Sequence, residues 1–102
     1  MERRGEPRRE VSWRGQVAGI DGSGECTVIN VSGSGLLFSG TADLPEKAVV
    51  VLRIRPDSVS LVECAARIAW RQSRGDDTLF GAEIVHISAV DRQALSFALM
   101  AA

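Results

Sequence analysis

The sequence predicts an all-β fold, a small antiparallel barrel or sandwich of about six short strands, followed by one terminal helix. Three observations carry this expectation. Apolar and polar residues alternate with a period of two through most of residues 11–87, the pattern of strands with one buried face. Glycine- and proline-containing turns divide those runs at short, regular spacing. Only at the end, over about 89–101, does the apolar spacing become helical.

Residues 11–20 place Val11, Trp13 and Val17 on one face, and both Val11 and Trp13 read as packing residues. The "DGSG" at 21–24 predicts a hairpin turn, because glycine after Asp or Ser reaches positive φ at little cost. Residues 25–30 form the second strand, the polar "SGSG" at 32–35 interrupts it, and residues 36–39 supply a short third strand. After a loop, residues 47–55 alternate again, with Ala48, Val50, Leu52 and Ile54 inward and Arg53 and Arg55 outward. The "PDS" turn leads to a strand in which Val62, Cys64, Ala66, Ile68 and Trp70 share the buried parity. A second hairpin at 73–77 precedes a strand with Phe80, Ala82 and Ile84 in phase, and the same parity predicts a partly buried His86. In the last segment Val90, Ala94, Phe97, Ala98 and Ala101 recur at helical spacing, with Ser88 as N-cap and Asp91 in the first turn. That helix is expected to pack on the barrel mouth or edge.

With 102 residues, 45% of them hydrophobic and 25% charged, the chain fits one soluble domain with one core. The expected division is a flexible arginine-rich arm at 1–10 and a single domain over 11–102. No apolar run approaches the roughly 20 residues that span a bilayer, and the N-terminus lacks a secretory apolar region, so a cytoplasmic protein without membrane insertion is expected. Cys26 and Cys64 lie in apolar strands without CxxC spacing and read as small buried hydrophobes. No metal-ligand cluster, nucleophile–base pair or paired carboxylate stands out, so the expectation is a protein that is not an enzyme and holds no metal or cofactor. Arg53, Arg55, Arg67, Arg71 and Arg74 fall on solvent faces or turns and read mostly as surface charge.

The net charge of -1 conceals an uneven distribution. Residues 1–14 hold five arginines against three glutamates, and the whole chain has one lysine, Lys47, against eleven arginines. A locally basic arm on a near-neutral body fits a small anionic partner better than nucleic acid at large. Arginine presents a planar fork that grips phosphate or the guanine edge bidentately and stacks on bases. Arg4 and Arg8 form an R-x-x-x-R spacing, flanked by Arg3 and Arg9, with Pro7 narrowing the arm's conformations. The second motif is Asn30-x-Ser32-x-x-Gly35, at a strand end in a turn whose backbone N–H groups can form a small anion nest.

"ERRGEPRR", then "INVSGSGLLF", then "ARIAWRQ" and "FGAEIVHIS" in this order resemble the PilZ domain family over essentially the whole chain. The resemblance implies a six-stranded antiparallel β-barrel with a C-terminal α-helix, acting as a receptor for the second messenger cyclic di-GMP and signalling to a protein partner. It implies ligand-binding roles for Arg3, Arg4 and Arg8 from the arm and for Asn30, Ser32 and Gly35 from the barrel. Trp70 is the candidate aromatic near a bound guanine. Asn30 stands where aspartate is commoner in the family. Two other readings are a PilZ-fold adaptor that binds no nucleotide and a small barrel that binds nucleic acid. The chain has no tyrosine for base stacking and a near-neutral body, which disfavours the latter.

Overall fold

A computed structural model describes residues 8–102. The chain forms six strands and one helix: β1 (Arg9–Ala18), β2 (Ser23–Val31), β3 (Gly35–Gly40), β4 (Val49–Arg55), β5 (Val62–Arg74), β6 (Asp77–Ile87) and α1 (Ala89–Ala101). The strands close into a barrel in the order β1-β2-β3-β6-β5-β4, and every neighbouring pair is antiparallel. Closure leaves no free sheet edge. β1 begins at Arg9, so the last two residues of the expected arm belong to the barrel wall.

The alternation read from the sequence fills the lumen. Val17, Val28, Phe38, Val50, Leu52, Ile54, Val62, Ala66, Ile68 and Phe80 are all buried inside, and Trp13 is buried beside them. Phe38 and Phe80 face each other across β3 and β6 with ring centroids 5.1 Å apart, a stacked pair at the centre of the core. The two cysteines are buried and unpaired, and burial pushes each thiol up to about 11.

Two departures from strict alternation reverse expectations. Trp70 was expected on the buried face but is 42% exposed. A bulge in β5 sets Ile68 opposite Ala82 and Trp70 opposite Gly81, so Ala69 is the extra residue and the indole turns outward. A second bulge sets Ala66 against Ile84 and Ala65 against His86. The phase therefore slips at Val85, leaving His86 exposed and placing Ile87 against the core. The helix also differs in phase. Its packed stripe is Ala94, Leu95, Ala98 and Leu99, whereas Val90 and Phe97 point to solvent at 77% and 63% exposure. Its start is as expected, since Ser88 Oγ accepts from the Asp91 amide at 3.1 Å.

The connections are fixed by local chemistry. The first turn falls at 19–22 rather than 21–24, closed by a 2.8 Å bond from Gly19 N to Gly22 O, and none of its residues has positive φ. Gly75, at φ +62°, starts the tight β5–β6 turn, as two-residue hairpins demand. In the β4–β5 turn Asp57 Oδ1 accepts from the amides of Val59 and Ser60 at 2.9 and 2.8 Å, and these bonds lower its pKa. Arg71 is not free surface charge: it donates to Asp43 Oδ1 and to the Leu44 carbonyl at 2.9 and 3.1 Å while lying over the Phe80 ring. Arg53, Arg67 and Arg74 pair with Glu63, Glu83 and Asp77 respectively.

Two outcomes test this account of the fold. Phe38→Ala empties half of the central ring pair and is expected to lower stability by about 3–5 kcal/mol in denaturant titration; a loss below 1 kcal/mol would contradict the packing. Lys47 holds φ 74° at the third position of a turn closed by Ala48 N and Pro45 O. There glycine is preferred, so Lys47→Gly is expected to raise stability by roughly 0.5–1 kcal/mol, read as a higher Tm.

Candidate functional site

A cleft of about 280 Å³ opens on the barrel surface, bounded by Arg8, the β2–β3 turn, and facing parts of β5 and β6. Five of the residues singled out in the sequence line it: Arg8, Asn30, Ser32, Gly35 and Trp70. Arg3 and Arg4 lie outside the described residues.

Asn30 and Trp70 are each aimed by a local irregularity. In β2, Val28 pairs with Phe38 but Asn30 pairs with Leu37, so Ile29 is an extra residue. Unbroken alternation would send Asn30 inward after Cys26 and Val28. The bulge instead buries Val31 and turns Asn30 toward the cleft. The bulge at Ala69 does the same for Trp70. The indole then lies against Gly81, where any Cβ would collide with its ring atoms. An aromatic face is thereby held against the wall of the cleft, with glycine beneath it as the condition.

The turn itself is built by Ser32. Its amide donates to the Gly35 carbonyl at 2.9 Å, and its Oγ accepts from the Gly35 amide at 3.2 Å. The hydroxyl is buried and bonded within the turn, so its first role is to shape the loop rather than to reach outward. Gly35 has negative φ; it is required because a Cβ there would stand 2.9 Å from the Ala82 carbonyl oxygen on β6. Gly35 thereby allows close approach between two strands. From the other side Arg92 of α1 donates to the Gly33 carbonyl at 3.0 Å, tying the turn to the helix.

Arg8 is the one cation lining the cleft among the described residues, and Glu83 is the one anion there. Glu83 accepts from Arg67 at 3.0 Å, which offsets its charge toward an anionic guest. Glu83, Ser34, Leu37 and Gly81 were not anticipated as lining residues. Gly81 carried a signal, a glycine inside a strand pattern, and Ser34 lies within the SGSG turn; Leu37 and Glu83 reach the cleft through pairing between β3 and β6, which spacing in the chain does not reveal. The cleft can therefore offer a guanidinium, a carboxamide and a flat indole, components suited to a planar anionic molecule. No group of three or more potential metal ligands occurs among the described residues. No helix among them is long and apolar enough to cross a membrane.

Solved structures share this fold. The PilZ domain of YcgR from Escherichia coli with c-di-GMP superposes with a TM-score of 0.81 at 12% identity, covering 98% of this chain and 91% of that one. The Bacillus subtilis inhibitor of motility MotI/DgrA gives 0.79 at 18% identity, covering 99% of this chain and 52% of that one. The complex of E. coli YcgR with c-di-GMP gives 0.80 at 12% identity, and this chain spans 46% of that protein. The chain thus spans about half the length of MotI/DgrA and of the longer YcgR chain. No curated protein matches it in sequence. The family model for the PilZ domain matches residues 2–101, and with that span the chain belongs to the PilZ domain family.

Proposed function

We propose that this chain is a receptor for cyclic di-GMP that orders its N-terminal arm on the ligand and signals to a protein partner. The observation that supports it most is the convergence of Arg8, Asn30, the Ser32–Gly35 turn and Trp70 on one cleft. Family membership and the c-di-GMP complexes of YcgR support the choice of ligand.

The ligand is a dianion with two guanines. Arg8, joined by Arg4 and Arg3 from the arm, grips phosphate oxygens or guanine edges through bidentate, charge-assisted bonds. Asn30 supplies a carboxamide that both donates and accepts. Trp70 offers its outer face to a guanine, and a base stacked on an aromatic ring gains about 1–3 kcal/mol. Ser32 and Gly35 keep the turn in place so that backbone N–H groups meet the anion. The arm ahead of β1, up to Arg8, is the moving part: ordering it costs conformational entropy that the arginine contacts offset, and Pro7 reduces that cost. The result is a conformational signal, with no covalent chemistry and no cofactor.

Calorimetric titration of the full chain with cyclic di-GMP tests the reading. Saturable binding at micromolar concentration, about 7–8 kcal/mol, is expected; no heat at tens of micromolar would sink it and favour the adaptor that binds no nucleotide. Arg4→Ala and Arg8→Ala are each expected to weaken binding about tenfold or more, because a charged hydrogen bond is worth about 1.5–3 kcal/mol, while Arg74→Ala leaves it unchanged. Gly81→Ala lifts the indole from its seat and is expected to weaken binding as much as Trp70→Ala, with far-UV circular dichroism preserved. Equal affinity of both variants and the parent would remove Trp70 from the site.

A further inference from the structure

A second cleft, of about 290 Å³, lies on the outer surface of β1 and β4 and shares no lining residue with the first. Arg14 and Arg55 sit directly opposite each other across these strands, and Gln16 faces Arg53. Like charges opposite one another on neighbouring strands destabilise a sheet, and the rest of the barrel avoids that cost. Of the seven arginines from residue 14 onward, Arg53, Arg67, Arg71, Arg74 and Arg92 each have an acceptor. Among the described residues, the Arg14 and Arg55 guanidiniums have neither a hydrogen bond nor an ion pair.

The surroundings narrow what could answer this charge. Leu61, 43% exposed, lines the same cleft, and Val59, 89% exposed, stands in the preceding turn. That turn is fixed by the Asp57 carboxylate on the Val59 and Ser60 amides, so the apolar pair is presented from a firm backbone. No aromatic side chain lines the cleft, so a nucleotide base has nothing to stack on. Glu25 lines it as well and would repel a compact polyanion such as phosphate. Two isolated cations, one carboxylate and an exposed aliphatic pair match carboxylates spaced along a polypeptide with an apolar residue between them.

We propose that this cleft docks a short acidic and apolar segment of a partner protein, with its carboxylates on Arg14 and Arg55 and an aliphatic side chain on Leu61 and Val59. The assignment adds a partner class to the receptor reading without resting on it, since the two clefts are separate. Paired with a carboxylate, the opposed arginines lose their mutual repulsion, so docking relieves a strain that the free barrel carries.

The test is fluorescence anisotropy of the full chain with a fluorescein-labelled peptide of alternating glutamate and leucine. A peptide of alternating lysine and leucine is the control, and inorganic phosphate is the competitor. Saturable binding of the acidic peptide is expected, weakened about tenfold, or 1.4 kcal/mol, in the Arg14→Ala/Arg55→Ala variant and also in Leu61→Ser, with no binding of the basic peptide. Undiminished binding by the double variant, absence of binding at millimolar peptide, or displacement by phosphate at equal concentration would each overturn the proposal. The melting temperature gives an independent reading. Arg55→Gln is expected to keep or raise the Tm by removing the like-charge pair, and a clear fall would show a structural role instead. Cyclic di-GMP titrated in parallel separates the two readings: its failure to bind would leave the peptide result standing, and the double variant is expected to bind it as the parent does.

Discussion

The pairing of β3 with β6 is the contact on which this barrel depends. The two strands lie far apart in the sequence, so neither a hairpin turn nor a short loop brings them together. Two features of the seam do so. Gly35 lets β3 approach the Ala82 carbonyl on β6 without a side chain between them. Three residues further on, Phe38 meets Phe80 and fills the lumen from both walls. With this seam formed, β1 has only to meet β4 for the sheet to close, and the lumen then excludes water along its length. The loop before β4 is drawn in by the same residues, because Arg71 reaches it across the Phe80 ring.

The first cleft follows from how that closed sheet departs from regularity. A strict period of two would place Asn30 and Trp70 in the lumen, where an unpaired carboxamide is costly. One extra residue in each strand, Ile29 and Ala69, moves them to the outer surface on the two sides of the β3–β6 seam. Two glycines near one end of the seam complete the arrangement, Gly35 by allowing strand contact and Gly81, opposite Leu37, by seating the indole.

The architecture was legible in the sequence because it rests on alternation and on turn residues, both local signals. The inward faces of β4 and of most of β5 were read residue by residue, and so was the capping of α1 by Ser88. What was not legible came from bulges and from packing over distance. Nothing local marks Ala69 or Val85 as the residue where phase slips, so Trp70 and His86 were assigned to the wrong face. In α1 the small residues Ala94 and Ala98 fit two overlapping stripes. Only the position of β5 decides for Leu95 and Leu99 over Val90 and Phe97. The cleft was half legible: its motif residues were named, but the β6 contribution of Gly81 and Glu83 depends on a pairing that sequence spacing does not encode.

The outward placement of Asn30 and Trp70 also bears on how such a protein changes over generations. Neither side chain fills the lumen, so substitutions there come at little expense to folding, whereas a change at Phe38 or Phe80 breaks the central ring pair. Selection can therefore act on the wall and on the cleft as two nearly independent traits. The solved relatives keep the barrel at TM-scores of 0.79 to 0.81 while sharing only 12–18% of their residues with this chain. Lineages with such a division can drift to another small molecule, or to none, and still inherit a sound scaffold.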